Sequence, residues 1–132
     1  MKNTDYNVTI REASGELSTV EKIKMKDTSG AIRLDDATKI EPVVIDVAAW
    51  AVLDIHNERT KGADSNKDYT VLVIVDETGE RYTTGSNSFI TAFFDIEAEL
   101  SEAGELDKFR IKAYRLPSSN YKDKEFLTCS II

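Results

Sequence analysis

A chain of 132 residues, 41% hydrophobic and 31% charged, has enough apolar material for one core and too little for two independent ones, and its composition excludes disordered, fibrous and disulfide-built classes. A single cysteine, Cys129, leaves no internal disulfide, and a single histidine, His56, leaves no Cys/His zinc spacing. The net charge of −7 argues against indiscriminate duplex binding, because affinity for a phosphate backbone comes from Lys and Arg displacing counterions.

The first forty residues carry mixed signals. Val8 and Ile10, then Ile23 and Met25, alternate with polar neighbours as half-buried strands do. If extended, Lys22, Lys24 and Lys26 would share one side of an edge strand, either lengthening a basic surface or guarding the edge against aggregation. Helix competes here, because Ser18 followed by Glu21 fits a capping box, and residues 30–39 can form a second short helix around Ile32, Leu34 and Ala37. From Glu41 the pattern is plainer. Residues 43–56 read as one long strand or two joined by a bend, with Trp50, Val52, Asp54 and His56 on one face and Ala51, Leu53 and Ile55 on the other. A polar loop follows, carrying Arg59, Lys61 and Lys67 diluted by Glu58, Asp64 and Asp68. Residues 69–75 (YTVLVIV) and 81–84 (RYTT) predict a hairpin across the turn DETGE. Phe89, Phe93, Ile96 and Leu100 recur at helical spacing behind a serine cap, until Gly104 breaks the helix. Residues 109–116 (FRIKAYRL) and 126–132 (FLTCSII) predict two final strands.

The order strand, strand, strand, helix, strand, strand is that of the OB-fold, a five-stranded, partly open barrel whose faces and loops bind oligonucleotides or sugars. The expected fold is therefore mainly β: one domain over 1–132, with an OB-like barrel from 41 to 132, one α-helix between strands 3 and 4, and a β/α extension over 1–40 packed on it. No apolar run reaches the length of a membrane span, and MKNTDYN lacks the order of a secretion signal, so the expectation is a cytoplasmic protein.

Catalytic signatures are missing. There is no phosphate loop, no GxGxxG and no GxSxG, and a Cys129–His56 dyad would lack an orienting group. No enzyme activity and no cofactor is expected. Binding features are better developed, because charge is segregated: 95–107 holds only acidic charges, whereas 108–124 holds Lys108, Arg110, Lys112, Arg115, Lys122 and Lys124 against Asp123. Alternation places Arg110, Lys112 and Tyr114 on one side of their strand, two cations beside an aromatic ring. Single strands are held in this way, with cations on phosphate and rings stacked on bases. An ordinary solvated outer face is the competing account. The following loop adds Tyr121, Lys122 and Lys124; Arg59, Lys61 and Tyr82 are further candidates, and Trp50 is either a stacking platform or a core residue.

The segments IDVAAWAVLDIHNE, YTTGSNSFITAFFDI and YRLPSSNYKDKEFLTCSII resemble small single-stranded-DNA-binding proteins carried by bacteriophages, prophages and mobile elements of Gram-positive bacteria, over roughly residues 41–132. The resemblance implies an OB-like barrel that protects displaced strands during DNA replication or recombination, and roles for Tyr114, Tyr121, Lys122 and Lys124. It further implies single-stranded DNA as partner, with replication or recombination proteins and a second copy of the chain as additional candidates. One departure is the apolar ending TCSII, where many bacterial single-strand binders carry an acidic recruiting tail. The rival reading is a protein-interaction module, such as a phage-encoded inhibitor or scaffold, docking through its acidic surface. A third, carbohydrate or small-molecule binding, rests on fold analogy.

Overall fold

The computed structural model describes residues 6–57, 68–105, 108–118 and 124–132. In chain order the elements are β1 (Tyr6–Ala13), α1 (Thr19–Lys26), β2 (Ile32–Arg33), α2 (Leu34–Ala37), β3 (Val43–Asn57), β4 (Asp68–Asp76), β5 (Arg81–Thr84), α3 (Asn87–Glu102), β6 (Phe109–Pro117) and β7 (Glu125–Ile131). The protein is mainly β, a single curled sheet with few helices.

The sheet is organised around β3. One edge of this strand pairs with β4 over Val47–His56; the other pairs first with β6 over Val43–Val47 and then with β1 over Ala51–Asn57, all antiparallel. A register shift between Val47 and Ala49 in the β3–β4 ladder marks a bulge, which lets one long strand turn from one neighbour to another. The path runs β2-β5-β4-β3-β6-β7, with β1 alongside β3. The N-terminal segments thus add two strands to the five read from residue 41 onward, β2 pairing with β5 in parallel.

Both faces of β3 are buried, against different partners. On one face Ile45, Val47, Trp50 and Val52 join Leu72, Ile74, Ile111, Ala113, Leu127, Cys129 and, from the helices, Leu34, Phe89 and Phe93. On the other, Ala51, Leu53 and Ile55 meet Val73 and Met25 of α1, with Val8 and Ile10 of β1 packed beside them. The alternation read from residues 50–56 is realised at Trp50 and Val52 against Ala51, Leu53 and Ile55.

Helix wins over strand at residues 19–26. The Ser18 hydroxyl accepts from the Glu21 backbone N–H, the Glu21 carboxylate accepts from the Ser18 N–H, and Asp27 N–H closes the far end on Ile23. The extended arrangement of Lys22, Lys24 and Lys26 is therefore overturned, since a reciprocal cap satisfies two amides that a solvent-facing edge would leave to water. Near residues 30–39 the helix is short, and Ile32 and Arg33 extend instead to meet Tyr82 and Thr83. The Arg115 guanidinium donates to Thr38 Oγ1 at 3.1 Å and to the Asp35 carbonyl, fastening α2 to the sheet. α3 starts on the Ser86 hydroxyl and stops at Gly104, whose φ of 70° suits a residue without Cβ.

Phe93 lies at the centre, fully buried, with ring centroids 5.4 Å from Phe94, 5.9 Å from Phe109, 6.2 Å from Trp50 and 6.5 Å from Phe89. Phe93→Ala is expected to cost about 3–5 kcal/mol of unfolding free energy, and Ser18→Ala about 1 kcal/mol, in urea titrations followed by circular dichroism.

Candidate functional site

The outer face of the β6–β7 hairpin gathers the densest set of sequence-predicted residues. Ile111 and Ala113 on β6, and Leu127 and Cys129 on β7, point into the core, so the alternate positions face outward. Cross-strand register then sets Leu116 beside Phe126, Tyr114 beside Thr128 and Lys112 beside Ser130, with Val44 of β3 on the other flank of Lys112. Val44 is 50% exposed and Phe126 38%.

Within this face Lys112 Nζ stands 5.5 Å from the centroid of the Tyr114 ring, and the Tyr114 hydroxyl lies 2.6 Å from Ser130 Oγ. The serine anchors the phenol tip, and the ammonium sits over the ring instead of on a carboxylate. Arg110 is engaged otherwise: its Nε donates to Asp46 Oδ1 at 2.6 Å, and this hydrogen bond, with the charge of Asp46, raises the guanidinium further above its ordinary range. Lys124 is exposed where the hairpin closes, its carbonyl accepting from the Ser118 N–H at 2.8 Å. Among the described residues neither Lys112 nor Lys124 forms an ion pair. The face carries Arg110, Lys112 and Lys124 against Asp46, a local positive excess on an acidic protein.

The other candidates are placed elsewhere. Trp50 is a core residue, 7% exposed and edge-on to Phe94 with centroids 4.9 Å apart, so its ring cannot serve as a stacking platform. Bulges shift the register of β3, but they leave Trp50 on the face covered by α3, where a large ring fills the space beside Phe93. Tyr82 is half-buried on β5, remote from the hairpin face in the sheet order, and its hydroxyl donates to Asp76 Oδ2 at 3.3 Å. Burial, then the neighbouring Asp76 charge, pushes its phenol above the ordinary range. Burial opposes ionisation of Asp76 in turn, yet hydrogen bonds from Thr78, from the Glu80 N–H and from Tyr82 hold its carboxyl below the usual value. This cluster shapes the turn at Gly79. Arg59, Lys61, Tyr121 and Lys122 lie outside the described residues.

Phe126 was not among the sequence-predicted site residues. The signal was present in FLTCSII, because the alternation that buries Leu127 and Cys129 places Phe126 on the same side as Thr128 and Ser130. Two other arginines serve the fold: Arg11 grips Asp54 through both Nε and Nη2, and Arg81 donates to the carbonyls of Lys24 and Asp27 at the end of α1.

His56 and Cys129 do not form a dyad. His56 Nδ1 lies 2.5 Å from Asp68 Oδ1 at one end of β3, whereas Cys129 is buried opposite Ala113 on β7. Among the described residues no three His, Cys, Asp or Glu side chains are grouped to hold a metal ion, and no helix is long and apolar enough to cross a membrane. Comparison with protein-family models, curated proteins and solved structures finds no match to this chain.

Burial pushes the Cys129 thiol up from 9.0 to about 12. An unfolded chain therefore sheds this proton first, so the stability contributed by the protonated thiol is complete below about pH 9 and declines as pH rises towards 12. Alkaline unfolding curves are expected to fall less steeply for Cys129→Ala than for the native chain, and a thiol reagent at pH 8 should modify Cys129 only after denaturant is added.

Proposed function

We propose that this protein is a non-catalytic, sequence-tolerant binder of single-stranded DNA that engages its ligand on the outer face of the β6–β7 hairpin. The observation that carries the reading is the ammonium of Lys112 held over the Tyr114 ring, with Phe126 exposed one diagonal step away and Lys124 at the hairpin end. Rings on adjacent strands lie within reach of successive bases, and stacking accepts any base because every base has a π face. The cations beside them meet the phosphates.

The order β5-β4-β3-β6-β7, with α3 inserted between β5 and β6, supports an OB-type barrel as the scaffold. In this reading α1 covers the outer surface of β3 and β4, with β1 extending the sheet beside β3, which moves the ligand face to the hairpin that they leave bare. Tyr121 and Lys122 follow β6 in the chain, and Arg59 and Lys61 follow β3. The protein would act in phage or mobile-element DNA replication or recombination, where displaced strands need transient cover.

Fluorescence anisotropy of a labelled mixed-sequence oligonucleotide tests the proposal. Single-stranded DNA is expected to bind in a salt-sensitive manner and duplex of the same sequence more weakly. Tyr114→Ala and Phe126→Ala should each lose about 1–3 kcal/mol of binding, roughly a 5- to 150-fold weakening, while Tyr114→Phe keeps the ring and stays near native affinity. Lys112→Gln should lower the slope of log affinity against log salt by about 0.7. Absence of binding at low salt would overturn the proposal.

A further inference from the structure

α1 turns an apolar pair towards solvent. Val20 is 60% exposed and Ile23 62%, whereas Met25, on the opposite side of the helix, is buried against the sheet. Helical spacing puts Val20 and Ile23 next to each other, with Lys24 on one flank and Lys26 on the other. Neither lysine forms an ion pair among the described residues. Most of this helix's apolar content is thus withheld from the core and framed by positive charge.

Elsewhere the molecule has a surface of complementary character. Ile96 and Leu100 of α3, together with Ile131 at the end of β7, line an open cleft of about 380 Å³. Asp95 and Glu99 form its rim, and α3 from end to end holds Asp95, Glu97, Glu99 and Glu102 without one Lys or Arg. Along β7 the even-numbered residues bond to β6, as the ties of Lys124 to Ser118 and of Ile132 to Arg110 show, so the odd-numbered backbone groups face the strand's other edge. There the Leu127 carbonyl accepts from the Ser88 hydroxyl at 2.5 Å. α1 and α3 pack against opposite faces of β3, so the basic-apolar ridge and the acidic-apolar cleft are separate surfaces.

We infer that α1 of one copy docks in the α3–β7 cleft of the next, placing Val20 and Ile23 on Ile96, Leu100 and Ile131 while Lys24 and Lys26 face Asp95 and Glu99. Charge selects this occupant. Two copies meeting symmetrically along β7 would bring two wholly acidic α3 helices side by side, a like-charge arrangement that costs affinity. A contact between two different surfaces is heterologous, and it propagates as an open chain unless its rotation closes a ring. The interface is small and its ion pairs are exposed, so association is weak in the free protein and falls with salt. If the single-strand reading is also correct, the contact makes coverage of a strand cooperative, a corollary that rests on that reading while the contact itself does not.

Sedimentation velocity of the full chain without DNA, at low salt and up to about 1 mM protein, is the test. The native chain is expected to grow past dimer with concentration. Lys24→Glu/Lys26→Glu and Asp95→Lys/Glu99→Lys should each remain monomeric alone with unchanged circular dichroism, and an equimolar mixture of the two should assemble again, because each variant's altered surface then meets its opposite. A native chain that stays monomeric throughout, assembly that survives either charge reversal, or a mixture that fails to assemble would each overturn the inference. Because no DNA is present, these outcomes stand apart from the oligonucleotide titration.

Discussion

The fifteen residues of β3 have strand partners on both edges and apolar side chains on both faces, and the other elements are positioned by those four contacts directly or through a strand paired to one of β3's neighbours. β4 holds one edge, while β6 and β1 divide the other, and the bulge at Val47/Ala49 allows the strand to bend between them. A strand so long and so fully buried cannot be left flat or half-solvated. α3 with its phenylalanines closes one face, and α1 packs on the other. The outer side of the β6–β7 hairpin remains, paired to β3 only through the strand's first five residues and without a helix above it.

Polar side chains are divided along similar lines. Arg11, Arg81, Arg110 and Arg115 are all tied to carboxylates, carbonyls or a hydroxyl, a use suited to a planar group with several fixed donors. Among the described residues, the unpaired positive charge on these surfaces is therefore supplied by lysines. Lys112 and Lys124 serve the hairpin face, and Lys24 and Lys26 serve the ridge of α1. Negative charge concentrates on α3, at the opposite side of the sheet from that ridge. A protein with net charge −7 thus keeps two basic surfaces separate from an acidic one, so the proposed strand binding and the proposed self-association would use different contacts.

Local signals in the chain were strong where side-chain period and capping agreed. The serine cap, the phenylalanine spacing and Gly104 marked α3; β-branched runs marked β4 and β5; alternation marked β6 and β7 and placed Lys112 and Tyr114 outward. The signals conflicted over residues 19–26, because TVEKIKMK alternates well enough for a strand while Ser18 and Glu21 cap a helix. The exposed Ile23 that suggested a half-buried strand is an apolar residue on the solvent side of α1. Trp50 illustrates another limit: period 2 assigned it a face but could not say that a helix would cover that face as well as the opposite one.

By itself the sequence determined the periodicities, the caps, the turns and the segregation of charge, because these depend on neighbours within a few residues. Only the tertiary structure decided that Trp50 is buried and Phe126 exposed, that Arg110 is tied to Asp46, that β1 pairs beside β3 and that α1 packs on one side of it. Those outcomes turn on contacts between residues that are distant in the chain, Asp46 with Arg110 and Trp50 with Phe94 among them. A side chain is assigned to core or surface only when the sheet has curled and its faces have been covered.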